Sequence, residues 1–122
     1  MSMICLSIYH KKYKKAEYLI NNGHDLNEKL CSLSALMWAI SRSNYIAILL
    51  IKKGCDINLQ DFGGFTPLMY SSIYKKKNIM LKILLRKPNV CIITSYKSFF
   101  DISIRNNQYY GLKYYYFLEL KS

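Results

Sequence analysis

Few residues in this chain could support a reaction. Its 122 residues include two histidines, seven carboxylates and four cysteines. An enzyme needs a nucleophile, a base and an orienting group, or a metal, converging in one pocket. His10 follows the Ser7-Ile8-Tyr9 run beside a lysine cluster, and His24 stands after Gly23 as Cys55 stands after Gly54. A slot that takes either an imidazole or a thiol serves structure better than proton transfer. Asp25, Asp56 and Asp61 recur at turn-type positions, where a carboxylate bonds its own backbone. Cys5, Cys31, Cys55 and Cys91 lie 26, 24 and 36 residues apart with no CxxC pair, so no zinc pattern emerges and four free thiols in a reducing compartment are expected. Lys52 and Lys53 would lower the Cys55 thiol pKa while the helix end before it would raise it, which favours a packing role. Gly63 and Gly64 lack the spacing of a phosphate loop. No catalytic residue, metal site or cofactor is expected.

Binding is better supplied. Eighteen Lys plus Arg against seven Asp plus Glu give a net charge of +11, which disfavours basic ligands and suits an acidic partner. Fifteen of the eighteen are lysine, and Lys, Ile, Asn and Tyr all have A/T-rich codons, so compositional drift is an alternative source of the charge. With 52% apolar or aromatic residues and only two prolines and five glycines, the chain is expected to fold as one small domain. The longest apolar run, Tyr45 to Ile51, is too short to span a membrane, and no basic segment precedes the first apolar run. These features predict an intracellular protein, cytoplasmic or nuclear according to its partner.

The elements that position these side chains repeat. AEYLINNGHDLN (Ala16 to Asn27) aligns with AILLIKKGCDIN (Ala47 to Asn58) at an offset of 31, sharing Gly23/Gly54, Asp25/Asp56 and Asn27/Asn58. SALMWAI (Ser34 to Ile40) aligns with TPLMYSS (Thr66 to Ser72) at 32, sharing Leu36/Leu68 and Met37/Met69. A period near 32 signals stacked supersecondary units that must share one core. Within a unit, Leu36, Met37, Ala39 and Ile40 predict a first helix, Ser41 to Asn44 an interruption, and Ile46, Leu49 and Leu50 a second helix that Gly54 ends in a left-handed conformation. Asp56, Asn58, Asp61, Gly63 and Gly64 then predict a turn-rich finger leading to the next unit. Thr66 suits the cap and Pro67 the first position of the helix that follows.

DFGGFTPLMYSS (Asp61 to Ser72) resembles the D-x-x-G-x-T-P-L-H-x-A signature of ankyrin repeats, and YIAILLIKKGCDIN (Tyr45 to Asn58) resembles their outer helix with its G-A-D-V-N ending. KSFFDISI (Lys97 to Ile104) is similar to a degenerate form of the same signature. Met69 stands for the histidine, Ser34-Ala35 for Thr-Pro, the finger of the second unit is one residue short, and Pro88 replaces a helix-ending glycine. The resemblance implies an all-α, ankyrin-type solenoid of helix-turn-helix units with short finger loops. It spans 1–122 as one domain, with units at about 1–27, 28–58, 59–90 and 91–122 and capping units at both ends.

The resemblance also implies a non-catalytic, monomeric module that binds a protein partner through the concave side formed by fingers and first helices. Leu33, Phe62, Phe65, Ile73, Tyr74 and Tyr96 are the candidate contacts on that side, the alternative being that some fold back on neighbouring fingers. A second reading uses charge. Lys11, Lys12, Lys14 and Lys15, then Arg42, then Lys75, Lys76 and Lys77, then Arg105 lie at or beside the turns between first and second helices, and stacking would align them as an edge for nucleic acid or another polyanion. The alternative for this row is a solvated edge. Lys52, Lys53, Arg86 and Lys87 sit at helix C-termini, where cations complement the dipole. In the last unit Tyr110, Tyr114 and Phe117 share a helical face expected to close the stack.

Overall fold

A computed structural model describes residues 2–86 and Pro88. Three hydroxyls at a 32-residue interval set its repeat. Ser2, Ser34 and Thr66 each accept a hydrogen bond from the amide three residues on, Cys5, Met37 and Met69, at 3.1, 3.4 and 3.4 Å. Each bond satisfies one of the free amides of a helix start. The helices so begun are α1 (Met3–Tyr9), α3 (Ala35–Arg42) and α5 (Pro67–Ile73). Each returns through a second helix: α2 (Tyr13–Asn21), α4 (Asn44–Lys52) and α6 (Lys77–Leu85). Pro67 occupies the start of α5, where its missing N–H is harmless.

Gly23 and Gly54 follow α2 and α4 with φ of +84° and +87°, the left-handed stop expected from the sequence. The amides of His24 and Cys55 close back onto the carbonyls of Leu19 and Leu50. Two features of unit two differ from expectation. The break between its helices is one residue, Ser43, which ends α3 and caps α4 by accepting from the Ile46 amide, where Ser41 to Asn44 had been expected to interrupt. Its shorter finger is a hairpin, with β1 (Lys29–Leu30) antiparallel to β2 (Leu33–Ser34), Lys29 opposite Ser34 and Leu30 opposite Leu33. The two loop residues Cys31 and Ser32 have φ of +53° and +74°, the sign a two-residue type I′ turn requires. The finger of unit three has one residue more and turns through Gly63 and Gly64.

First helices pack on first helices and second on second along the stack, and each pair packs internally. The shared core is drawn from every helix: Ile4 and Ile8, Ala16 and Ile20, Leu36 and Ile40, Ile46 and Leu50, Leu68 and Met69, Ile79 and Ile83. Fingers join across units as well. The Asn27 side-chain oxygen accepts from the Asp56 amide at 2.8 Å, and the Ser32 hydroxyl accepts from the Phe62 amide at 2.8 Å.

Candidate functional site on the inner face

Of the faces of a first helix, one is buried between neighbours and one looks out from the stack. Leu6, Trp38 and Tyr70 share the fourth position of α1, α3 and α5, and the next turn carries Tyr9 and His10, Ser41 and Arg42, Ile73 and Tyr74. This inner face is strongly aromatic. Tyr9 meets Trp38 edge to face with ring centres 5.5 Å apart, and His10 meets Tyr9 at 5.1 Å. The Arg42 guanidinium lies over both, 5.3 Å from the Tyr9 centre and 5.4 Å from that of Trp38, within cation–π range. Trp38 is fixed by its indole N–H, which donates to the Leu30 carbonyl at 3.0 Å, and the Tyr13 hydroxyl donates to the Arg42 carbonyl at 3.4 Å.

One unit further along, Tyr70 stacks on Tyr74 with ring centres 6.4 Å apart and touches Phe65 at 6.0 Å. Its hydroxyl donates to the Asp61 carboxylate. Burial first, and then the Asp61 carboxylate, push the Tyr70 hydroxyl pKa upward, so it stays protonated and donating. Asp61 also accepts the amides of Gly63 and Phe65, each at 2.9 Å, so its role is to hold the finger.

The residues singled out from the sequence fall in different settings. Phe62 projects from the finger tip at 96% exposure, and Tyr74 is exposed at the end of α5. Leu33 in β2 is half-buried. Phe65 and Ile73 are half-buried and pack against the core, so Phe65 contributes more to the fold than a finger ring was expected to. Tyr96 lies outside the described residues, as do Lys87, Arg105 and the whole of unit four. Tyr9, Trp38 and Tyr70 were missed. The available signal was the 32-residue register that aligns Trp38 with Tyr70, two positions after the matched Leu36 and Leu68.

The basic residues also divide. Lys11, Lys12, Lys14 and Lys15 are exposed around the α1–α2 turn, and Lys75 and Lys76 lie in the equivalent α5–α6 turn with Lys77 opening α6. Lys11 and Lys75 adopt matching left-handed conformations, φ +61° and +57°, and the amides of Lys12 and Lys76 close onto the Ser7 and Ser71 carbonyls at 2.8 Å in both turns. Unit two, with its single-residue turn, has no such lysine, and its Arg42 is drawn onto the inner aromatic pair. A groove of about 240 Å³ runs between Asn44 and Ile48 of α4 and the Lys75 to Asn78 segment. At the other end of α6, the Arg86 guanidinium donates to the Cys55 carbonyl at 2.9 Å, a structural tie between units.

Two of the thiols among the described residues are buried. Burial pushes the Cys55 pKa from 9.0 to about 11, outweighing the lowering effect of Arg86, and burial raises Cys5 as well. Both are therefore protonated and packed at neutral pH. Among the described residues no cluster of His, Cys, Asp or Glu is arranged to hold a metal, and no helix is long and apolar enough to cross a membrane.

Comparison with known proteins agrees with this geometry. The family model for ankyrin repeats in three copies matches residues 3–95. An ankyrin repeat protein of fowlpox virus (strain NVSL) is 32% identical over 99 residues, covering 79% of this chain and 26% of that protein. An ankyrin and IPT/TIG repeat-containing protein of Schizosaccharomyces pombe (strain 972) is 40% identical over 67 residues, covering 53% of this chain and 6% of that protein. The chain thus spans about a quarter of the length of the first relative and a small fraction of the second.

Proposed function

The chain belongs to the ankyrin-repeat family, whose stacks generally serve as protein-interaction modules, and from that premise we propose that it is a non-catalytic adaptor that holds a partner protein on its inner face. The observation that carries this reading is the aromatic series on successive first helices, Tyr9, Trp38, Tyr70 and Tyr74, with Phe62 at the finger tip. Trp38 and Tyr70 are half-buried against the core and support the exposed rings, whereas solvent gives no reason for Tyr9, Tyr74 and Phe62 at the surface, and aromatic side chains dominate the energy of protein interfaces. Leu33, Phe65 and Ile73 frame the same surface, and Tyr96 would extend it if residues 91–122 add a fourth unit. The module works as a monomer inside the cell, in the compartment of its partner.

A second reading has its own support. Lys11, Lys12, Lys14 and Lys15 and Lys75, Lys76 and Lys77 flank the starts of α2 and α6, neither of which has a side-chain cap, so the positive ends of two helix dipoles coincide with lysine clusters. Such an edge attracts nucleic acid or another polyanion without reading sequence. Affinity capture with the full chain, washed at low and at high salt, separates the two. A protein retained at high salt supports the inner face, and material released by salt or by added nucleic acid supports the edge.

A further inference from the structure

We infer that the inner face selects an extended acidic segment of its partner, one carboxylate pairing with the Arg42 guanidinium and a large apolar side chain about three residues away covering the Tyr70–Tyr74 stack. The inference rests on the reading that the inner face is the docking surface, and it adds the chemistry of what docks.

The first support is the preparation of Arg42. Its guanidinium is exposed yet positioned: the ring faces of Tyr9 and Trp38 hold it at 5.3 and 5.4 Å, Trp38 is itself pinned to Leu30, and the Arg42 backbone is tied to Tyr13. Both rings lie within cation–π range of the guanidinium carbon, so the group is held in place with less side-chain entropy to lose when a carboxylate pairs with its N–H groups.

The second support is the segregation of charge. The first helices α1, α3 and α5 and the turns that follow them contain no Asp or Glu. The carboxylates of residues 2–86 are Glu17 in α2 and Asp25, Glu28, Asp56 and Asp61 in loops and fingers. These helices therefore present no carboxylate of their own to an incoming acidic side chain, Asp61 being engaged by the Tyr70 hydroxyl and two finger amides, and Lys11 and Lys75 border the same end of the helices. The N–H groups of a guanidinium pair bidentately with a carboxylate or a phosphate, and the inferred partner group is the carboxylate.

The spacing follows from stacking. Neighbouring helix axes lie about 8–10 Å apart. An extended strand advances about 3.3 Å per residue, so roughly three residues carry it from the Arg42 station on α3 to the Tyr70–Tyr74 station on α5.

The chain has one tryptophan, Trp38, and its fluorescence reports on this station directly. The test is a fluorescence titration of the full chain with twelve-residue Gly/Ser peptides carrying one Glu and one Phe separated by one to six positions, together with Gln-for-Glu and phosphoserine-for-Glu versions. The strongest response is expected near a separation of three, weakened about tenfold by Gln for Glu. Arg42→Gln should remove the dependence on Glu, and Arg42→Lys most of it, because a lysine keeps the charge and loses the stacked planar fork. Circular dichroism checks that both variants stay folded. Unchanged Glu-dependence in Arg42→Lys, a preference for phosphoserine, or no response to any peptide overturns the inference. If binding depends on Phe and Tyr74 but not on Glu, the inference fails and the inner-face reading stands. If binding ignores Arg42 and Tyr74 and disappears with Lys75→Ser, Lys76→Ser and Lys77→Ser, both fail.

Discussion

Units two and three reach one architecture by different local routes. Their buried positions correspond closely: Ser34 and Thr66 cap, Leu36 and Leu68 fill, Met37 and Met69 follow, and Leu50 and Ile83 line the second helices. Their turns do not. Unit two uses a hairpin through Cys31 and Ser32 and a one-residue break at Ser43, and unit three uses Gly63-Gly64 and a three-residue turn. Their outward positions differ again, Trp38 and Arg42 against Tyr70 and Tyr74. Packing constrains the first set and chain geometry the second, whereas in the third Trp38 and Tyr70 lean on the core and Arg42 and Tyr74 are left exposed. Residues that the fold leaves open are where selection for a partner can act.

If the buried positions are equivalent, Leu36→Ala and Leu68→Ala should each cost roughly 2–5 kcal/mol, read from urea midpoints at constant m-value. A loss below about 0.5 kcal/mol at either position would place that leucine outside the core.

Alkaline pH probes one member of the pair. The Cys55 pKa is raised to about 11, so its contribution is fully present below pH 9 and is lost as pH rises through 11. Relative to Cys55→Ala, the parent should lose about 1.4 kcal/mol by pH 10. Tyr70 adds a loss of the same sign at higher pH, because its pKa is also raised. Parallel pH profiles for parent and variant would mean that Cys55 is open to water.

The caps come next in size. Ser34→Ala and Thr66→Ala should each lower stability by about 1 kcal/mol, and unequal losses would show that the Met37 thioether, which accepts from the Ser34 amide at 3.4 Å, supports the unit-two cap. The turns should respond with opposite signs. Gly64, at φ +82°, should lose about 1 kcal/mol on Gly64→Ala, whereas Cys31→Gly should gain a few tenths to about 1 kcal/mol by relieving an exposed left-handed non-glycine residue.

These contrasts also mark what the sequence could disclose. Thr66, Pro67, Gly23 and Gly54 announce their roles because caps and left-handed stops are local chemistry, and the offsets of 31 and 32 expose the stack because each unit repeats that chemistry. The rise from 31 to 32 falls between Asn27/Asn58 and Ser34/Thr66 and reflects the finger of unit two, one residue shorter than that of unit three. The Cys31-Ser32 turn was hidden because neither residue is the glycine or asparagine that advertises φ above zero. The Tyr9–Trp38–Arg42 cluster was hidden for another reason. Tyr9 lies 29 residues before Trp38, and stacking alone brings their rings together. Arg42 consequently read as one member of a basic row, although its local setting separates it from the lysines.

One comparison bears most directly on whether the inner face or the lysine edge does the binding. A captured partner is titrated, at two ionic strengths, against the parent, a Phe62→Ala/Tyr74→Ala variant and a Lys75→Ser/Lys76→Ser/Lys77→Ser variant. Phe65 is left in place because it packs on the core. Loss of binding with the aromatic pair at both salt concentrations, together with a lysine variant altered mainly in association rate and salt dependence, is the predicted result. Full binding by the aromatic variant, with binding abolished and its salt slope flattened in the lysine variant, would contradict the inner-face account.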